Sequence, residues 1–294
     1  MEYRTPLLDP EAAEPGRDAA SNPPARDARV DLWVDAGRAQ DQDGRQPLLR
    51  CRPGELYVLV LGTDDQLYRL DTTTLGLTAL APVSCGSSGL NSMTVSPVGL
   101  AFISGQSGDL CRVDLATFTV TRTSFDPAAV GNQAFGMALL ADATPAGQSL
   151  YIASMDALFT NMLSRIDLLG YRLTTIGPIL PTVPWAELTA GPNGELYGFA
   201  IGPDSSLLLN IDPTTGSAID VTTVPAGYSA AAFGLVYWQG EFYLFVGPSP
   251  NSPLPGFGTP VNAEVYRYRK GDARVAHIGT LPVGIIGAGV AACR

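Results

Sequence analysis

The sequence predicts an all-β fold, a five-bladed β-propeller with four-stranded blades whose first blade is closed by the C-terminal strand. Three observations support this prediction. A short motif recurs five times, an apolar–aromatic pair precedes each copy, and the end of the chain supplies a strand that the first unit lacks. Four-strand units that repeat every 40–50 residues or so are typical of propellers.

The motif ends the third strand of each predicted blade. Its copies are Leu67–Asp71 (LYRLD), Leu110–Asp114 (LCRVD), Leu163–Asp167 (LSRID), Leu208–Asp212 (LLNID) and Val265–Arg269 (VYRYR). The pairs upstream of them are Leu56-Tyr57, Ala101-Phe102, Leu150-Tyr151, Leu196-Tyr197 and Phe242-Tyr243. Apolar runs also follow every copy, and such runs, bounded by turn residues, predict strands.

A further strand precedes the apolar–aromatic pair in four units. These strands are Ser92–Val95, Phe135–Ala141, Ala186–Ala190 and Phe233–Trp238. The first unit has none before Leu56–Leu61, but Ile286–Ala292 lies at the other end of the chain. We therefore expect these two segments to pair and close the ring, which also leaves few open sheet edges.

Four of the motif copies end in aspartate. Aspartates that recur in this way could suggest a catalytic site, but their hydrogen bonding in turns explains why they recur. Asp71, Asp114, Asp167 and Asp212 each open a turn, where a short carboxylate accepts hydrogen bonds from backbone amides. We interpret them as turn residues rather than as metal ligands or catalysts.

Residues 1–50 differ from the rest and are predicted to be a disordered tail or linker, followed by a propeller over residues 51–294. The tail holds 10 acidic residues and 7 arginines with few aromatic or β-branched side chains, so it cannot bury a core. We find no apolar signal-peptide region in it. The chain also has no apolar run of about 20 residues that would cross a membrane.

The predicted propeller is acidic, with 18 acidic and 11 basic residues over positions 51–294. This charge, without clusters of Lys or Arg, argues against nucleic acid and anionic membranes as partners. We expect a monomer that binds a small molecule, a glycan or a peptide.

Four cysteines suggest two disulfides. Cys51 precedes the first strand and Cys293 follows the last, so a Cys51–Cys293 bond would lock the ring. It would close a loop of about 240 residues, worth roughly 4–5 kcal/mol in the chain-entropy model. Cys85 and Cys111 are the remaining pair, and the alternative is four thiols in a cytosolic protein. Disulfides would place the protein outside the cytoplasm.

Metal and cofactor sites are not predicted. The sequence has no CxxC pair and a single histidine, His277, in the outer strand of blade five. That position is far from a propeller's central channel, so we expect His277 to be structural.

The working face is predicted from loop length. The second-to-third-strand loops and the linkers between blades share one face, and two long insertions, Ser154–Leu163 and Pro248–Asn262, fall on it. Insertions on one side of a repeat array commonly mark the binding face. Linker residues there are candidates for ligand binding, although packing between blades explains each equally well: Asn91, Gln133, Trp185 and Tyr228, with Asn132 beside them.

Glu187 is a candidate because it lies in an innermost strand where the other blades have small or apolar residues. Our alignment gives its counterparts as Met93, Gly136, Gly234 and Ala288. A carboxylate on the channel wall could bind a cation, water or a ligand hydroxyl. Glycosidases need two carboxyls, and only Asp142, just past another inner strand, could provide a second one.

From Cys51 to Cys293 the chain resembles a family of uncharacterised bacterial exported propeller proteins, often lipoproteins. The residues that carry the resemblance are Cys51–Tyr57, the LYRLD run, Phe135–Met137, Ala186–Thr189, Phe242–Phe245 and Gly287–Val290. The resemblance implies export, with lipid anchoring as an option, but no activity. The sequence differs from this family in lacking a lipobox and signal at its start, which leaves the anchor open.

The sequence therefore favours a non-catalytic, exported binding propeller that recognises a glycan, peptide or small polar ligand at the loop-rich face. One alternative is a hydrolase or lyase acting on a carbohydrate or lactone, with Glu187 as acid/base or metal ligand. A purely structural scaffold is the other.

Overall fold

A computed structural model describes residues 56–86, 89–142, 146–201, 206–224, 230–248 and 262–292. These residues form five four-stranded antiparallel sheets, which are the blades of a five-bladed propeller. The predicted fold class is confirmed. Two short 3₁₀ turns, Pro127–Val130 and Pro192–Gly194, are the helical elements of the described residues.

In each blade four strands run in order from the central channel to the outer edge. Blade one contains β20 (Ile285–Ala292), β1 (Leu56–Gly62), β2 (Gln66–Leu70) and β3 (Leu77–Pro82). Blade two contains β4 (Leu90–Ser96), β5 (Leu100–Gly105), β6 (Leu110–Asp114) and β7 (Thr119–Arg122). Blade three contains β8 (Phe135–Ala141), β9 (Gln148–Met155), β10 (Asn161–Ile166) and β11 (Leu173–Pro178). Blade four contains β12 (Ala186–Ala190), β13 (Leu196–Ile201), β14 (Ser206–Ile211) and β15 (Ala218–Val224). Blade five contains β16 (Ala230–Trp238), β17 (Glu241–Pro248), β18 (Ala263–Arg269) and β19 (Ala276–Leu281).

The ring closes through blade one, as predicted. β20 pairs antiparallel with β1 in a register that runs from Leu56 opposite Ala292 to Leu61 opposite Gly287. The innermost strands contact one another in the order β20, β4, β8, β12 and β16, and β16 returns to β20. The two ends of the propeller are therefore held in one sheet.

Glycines let the innermost strands approach closely. A Cβ built on Gly136 of β8 would lie 2.1 Å from the Ala186 carbonyl oxygen of β12. A Cβ on Gly287 of β20 would lie 2.4 Å from the Met93 backbone nitrogen of β4. Neither distance leaves room for a methyl group, so these contacts require glycine.

The apolar residues of the repeat form the layers between blades. One buried cluster joins blades one and two and includes Leu59, Leu67 and Ile103. Another joins blades three and four and includes Leu163 and Leu209. Alternate residues of each strand point to opposite faces, so both faces of a blade are buried against its neighbours.

The repeat aspartates cap turns, as predicted. The Asp71 carboxylate accepts from the amides of Thr73 and Thr74 at 2.8 and 3.1 Å. The same two-amide pattern, two and three residues downstream, recurs at Asp114 and Asp167. At Asp212 the carboxylate accepts from the Thr214 amide at 2.8 Å.

The predicted Cys85–Cys111 disulfide is present, with a Cα–Cα distance of 5.7 Å. Cys85 follows blade one and Cys111 belongs to β6, so the bond ties the two blades together. The other predicted pair, Cys51 and Cys293, lies outside the described residues, as does the predicted tail.

Candidate functional site

Strand register identifies the residues that share one level of the channel wall. In each blade the motif Arg or Asn of the third strand lies opposite a residue of the second strand. The residue two positions further along that second strand, toward its C-terminal end, pairs with a residue of the innermost strand. The inner-strand residues found in this way are Gly287, Ser92, Gly136, Glu187 and Gly234. Glu187 is therefore the one large side chain at a level of otherwise small residues.

Two of the four predicted counterparts of Glu187 are wrong by one residue. Gly136 and Gly234 are confirmed, but Ser92 replaces Met93 and Gly287 replaces Ala288. The register of β4 against β5 is regular from Ser92 to Ser96, so the error lay in the sequence alignment of the inner strands.

Glu187 joins three blades by hydrogen bonds. Its side chain is 3 % exposed, and its Oε1 accepts from the Ser92 hydroxyl of blade two at 2.5 Å. The backbone of Met137, in blade three, and that of Leu188 also bond to this carboxyl. Since β8 lies between β4 and β12 in the ring, Glu187 reaches across blade three to blade two.

Burial determines the charge of Glu187. Loss of solvent raises the pKa of this carboxyl well above its usual value near 4.5, while the hydrogen bonds from Ser92, Met137 and Leu188 oppose the rise. Among the described residues, no second carboxylate contributes to this shift. Burial therefore favours the protonated form of this carboxyl, and the hydrogen bonds that connect it to the inner strands favour the ionised form.

The other predicted ligand residues differ in accessibility. Asn91 is half-buried, and its Nδ2 donates to the Phe135 carbonyl oxygen at 3.0 Å, so it connects blades two and three. Gln133 is exposed, and Trp185 is 40 % exposed just before β12. Tyr228 lies outside the described residues.

The predicted blade-three insertion, Ser154–Leu163, is wrong in length, because β9 and β10 extend into it and leave a loop of five residues, against four between β5 and β6. This loop carries two exposed apolar side chains. Leu158 is 83 % exposed and Phe159 is 78 % exposed in the loop between β9 and β10. Asp156 organises this loop, since its Oδ1 accepts from the amides of Leu158 and Thr160 at 2.8 Å each. Phe159 has a φ of +61°, a conformation that costs a bulky residue energy.

We call the segment Asp156–Thr160 the apolar tip. It lies on the loop-rich face, and so does Trp185, because the linker that carries Trp185 ends where β12 begins. The sequence predicted this loop as part of the binding face, but the Leu158-Phe159 pair was not predicted to contribute to it. The signal was available, since two adjacent large apolar residues inside a polar turn are unusual in a surface loop.

The remaining sequence predictions concern metals and membranes. His277 lies in the outer strand β19, where its Nε2 is 2.6 Å from Glu264 Oε2. Within the described ranges, no three His, Cys, Asp or Glu side chains are placed together to hold a metal ion. The part of the chain that the structure describes contains no helix that could cross a lipid bilayer.

Comparison with known proteins identifies the fold. No protein-family model and no curated protein matches the chain. A chain from the crystal structure of a nidogen/laminin complex is 10% identical with a TM-score of 0.50, and the match covers 80% of this chain and 98% of that one. A structural genomics protein of unknown function from Bacteroides thetaiotaomicron is 12% identical with a TM-score of 0.46, and the match covers 81% of this chain and 61% of that one. The likeness to the first of these chains shows a shared fold alone, the β-propeller.

Proposed function

We propose that this protein is a non-catalytic binding propeller that acts outside the cytoplasm and docks a segment of a protein partner on its loop-rich face. The observation that carries the proposal is the apolar tip. Two large apolar side chains are held in solvent by a loop whose backbone is fixed by Asp156.

The fixed loop favours binding because it reduces the entropy lost on association. A mobile loop would have to be ordered when a partner binds, whereas this one is already organised by four hydrogen bonds. They are the two that Asp156 Oδ1 accepts, and two backbone bonds, Asp156 N to Thr160 O at 2.9 Å and Phe159 N to Asp156 O at 3.1 Å. Preorganisation of this kind strengthens binding.

The chemistry of the tip favours a protein over a glycan or a small polar ligand. Exposed Leu and Phe side chains gain free energy when apolar side chains of a partner segment cover them, at about 25 cal/mol per Å² of buried apolar surface. The acidic composition of the propeller favours a segment that also carries basic residues. One matched chain comes from a nidogen/laminin complex, which is an assembly of proteins.

The Cys85–Cys111 disulfide supports the proposed location outside the cytoplasm. A bond of this kind persists in oxidising compartments and is rare in the cytosol. Lipid anchoring, which the family resemblance implies, is an additional expectation that the disulfide does not address.

A peptide-display experiment tests the proposal. The full chain is used to select from a phage library of random 12-residue peptides, and the selected peptides are titrated against wild type and Leu158→Ser/Phe159→Ser. We expect the double variant to lose about tenfold or more in affinity, because burial of one large apolar side chain is worth about 1.5–3 kcal/mol.

The matched control is Leu169→Ser. Leu169 is 68 % exposed in the turn between β10 and β11, at the opposite end of the same blade, and its replacement should leave the affinity unchanged. Equal affinity of the selected peptides for wild type and the double variant would contradict docking at the tip. A glycan array, probed in parallel with wild type and Glu187→Ala, tests for carbohydrate binding instead of protein docking. Glycan binding that is lost in Glu187→Ala would favour a carbohydrate site in the channel.

A further inference from the structure

The linker between blades three and four, residues 179–185, rests on the base of the apolar tip. The Ile179 amide donates to the carbonyl oxygen of Asn161 at 2.8 Å, and Asn161 follows the tip directly in the chain. Val183 of the linker is buried in the same apolar cluster as Ala153, which belongs to the strand that leads into the tip. The tip and the linker therefore form one continuous surface on a packed base.

Trp185 ends this linker and provides a second apolar anchor on the same surface. Its side chain is 40% exposed, and the residue after it begins β12. A tryptophan that is already partly buried loses little side-chain freedom when a partner covers it. Tryptophan is also enriched among the residues that contribute most of the free energy of protein–protein binding.

The strand register gives the distance between the two anchors. Ala186, the residue after Trp185, lies against Gly136 of β8, since a Cβ built on Gly136 would be 2.1 Å from the Ala186 carbonyl oxygen. Gly136 in turn pairs with Ala153 of β9, three residues before the tip begins. Two strand spacings of about 4.8 Å and an offset of two residues of about 3.3 Å each place Trp185 and the tip roughly 10–15 Å apart.

The chain segments around the two anchors are acidic. The linker before β8 (residues 123–134), the apolar tip and the linker 179–185 contain Asp126 and Asp156 but no Lys, Arg or His. Asp126 is exposed at the start of the 3₁₀ turn Pro127–Val130. Complementary charge increases the rate and the specificity of association, so a partner segment with basic residues beside its apolar ones is favoured here.

We propose that the docking site of the apolar tip extends to Trp185 and binds a short, extended, basic segment of a partner protein that has two large apolar residues four positions apart. This inference rests on the proposed docking at the tip and adds the second anchor, the spacing and the charge of the segment. Four residues of an extended chain span about 13 Å, which matches the distance between the anchors. One apolar residue of the segment covers Leu158 and Phe159, and the other covers Trp185.

An extended conformation is favoured because the segment is short. Isolated helices of fewer than about 12–15 residues are marginal in water, so a short helical segment would have to be ordered at a cost in free energy when it docked. A helix would bring residues seven positions apart, at about 10.5 Å, to the same two anchors. The spacing of the apolar residues therefore distinguishes an extended segment from a helical one.

Phage selection from a library of random 12-residue peptides tests the spacing, with the full-length wild type and Trp185→Ser as separate targets. We expect the peptides selected on wild type to share two large apolar residues four positions apart, with lysine or arginine beside them. Peptides selected on Trp185→Ser should share a single apolar position. Trp185→Phe keeps an aromatic side chain and should give the wild-type pattern, and circular dichroism verifies that each variant folds.

A double-mutant cycle then assigns one apolar residue of a selected peptide to Trp185. Replacement of that peptide residue by serine should weaken binding to wild type about tenfold, because a covered large apolar side chain contributes at least this factor. The same replacement should leave the affinity for Trp185→Ser unchanged, since the side chain that it would contact is absent. Leu169→Ser, at the opposite end of blade three, is the matched control and should bind every peptide as wild type does.

The outcomes separate this inference from the docking on which it rests. Peptides that lose affinity for Leu158→Ser/Phe159→Ser but bind Trp185→Ser as tightly as wild type would overturn the second anchor and leave docking at the tip intact. A shared apolar spacing of seven positions would contradict the extended segment, and selected peptides without enrichment of lysine or arginine would contradict its charge. Peptides that are insensitive to both variants would instead contradict the proposed function itself.

Discussion

The Ser92 hydroxyl donates to Glu187 Oε1 at 2.5 Å and thereby connects blade two to blade four across blade three. The bond lies at the level of the channel wall where the three remaining inner strands contribute glycine. A carboxyl in this position is a structural connection whose charge state depends on its burial.

The first prediction concerns the pH dependence of stability. The pKa of Glu187 is raised in the folded protein, so between the unfolded value near 4.5 and the folded value the unfolded chain binds fewer protons. The free energy of unfolding should therefore fall as pH rises through this window, by about 1.4 kcal/mol per pH unit from this group.

Glu187→Gln removes that contribution because the amide does not titrate. Chemical denaturation at a series of pH values above 4.5 should show that the free energy of unfolding of the variant rises relative to that of the wild type as pH rises. Parallel curves for the two proteins would mean that Glu187 is ionised in the folded state.

The second prediction concerns the contact between β8 and β12. Gly136→Ala should lower the free energy of unfolding by about 3 kcal/mol, because the added methyl group meets the Ala186 carbonyl and overpacking is costly. Gly89→Ala is the control, since its Cβ would have only Gln106 side-chain atoms nearby, at 3.6 Å or more. Urea denaturation measures both, and equal stability of the two variants would contradict the close approach.

The third prediction concerns the Cys85–Cys111 bond. Replacement of both cysteines by serine should lower the free energy of unfolding by about 3 kcal/mol, the chain-entropy value for a sequence separation of 26 residues. A non-reducing digest analysed by mass spectrometry should contain the Cys85–Cys111 cross-linked peptide. Its absence from oxidised, folded protein would contradict the bond.

The fourth prediction concerns the turn aspartates. Asp114→Ala removes the acceptor for the amides of Ala116 and Thr117 and should cost about 1 kcal/mol, as loss of a capping side chain does. Asp114→Asn keeps an acceptor oxygen and should cost less than about 0.5 kcal/mol. If the two variants were equally destabilised in thermal denaturation, negative charge rather than turn capping would explain the aspartate.

The fold could be predicted because the same order of strands and turns repeats along the sequence. The turn after each aspartate follows from local spacing, and the pairing of the last strand with the first follows from the strand that the first unit lacks. The Cys85–Cys111 pairing followed from the same topology. Packing between blades was harder to predict, because the residue that lies beside Glu187, Ser92 rather than Met93, is identified only by the pairing of β4 with β5.

The candidate site was predicted only in part. Sequence spacing placed Glu187 on an inner strand, but its hydrogen bond to Ser92 joins residues 95 positions apart and cannot be inferred from either segment alone. Similarly, the exposure of Leu158 and Phe159 depends on which neighbouring elements fail to cover them.

The pairing of β20 with β1 has a consequence for biosynthesis. The strand that completes the first blade leaves the ribosome after the other strands of the propeller, so a nascent chain holds β1 without its inner partner until β20 has been synthesised. Folding of the ring is thus tied to synthesis of Ile285–Ala292. A message cut short before Ile285 would yield a chain with an open apolar edge, which quality-control proteases and chaperones can recognise.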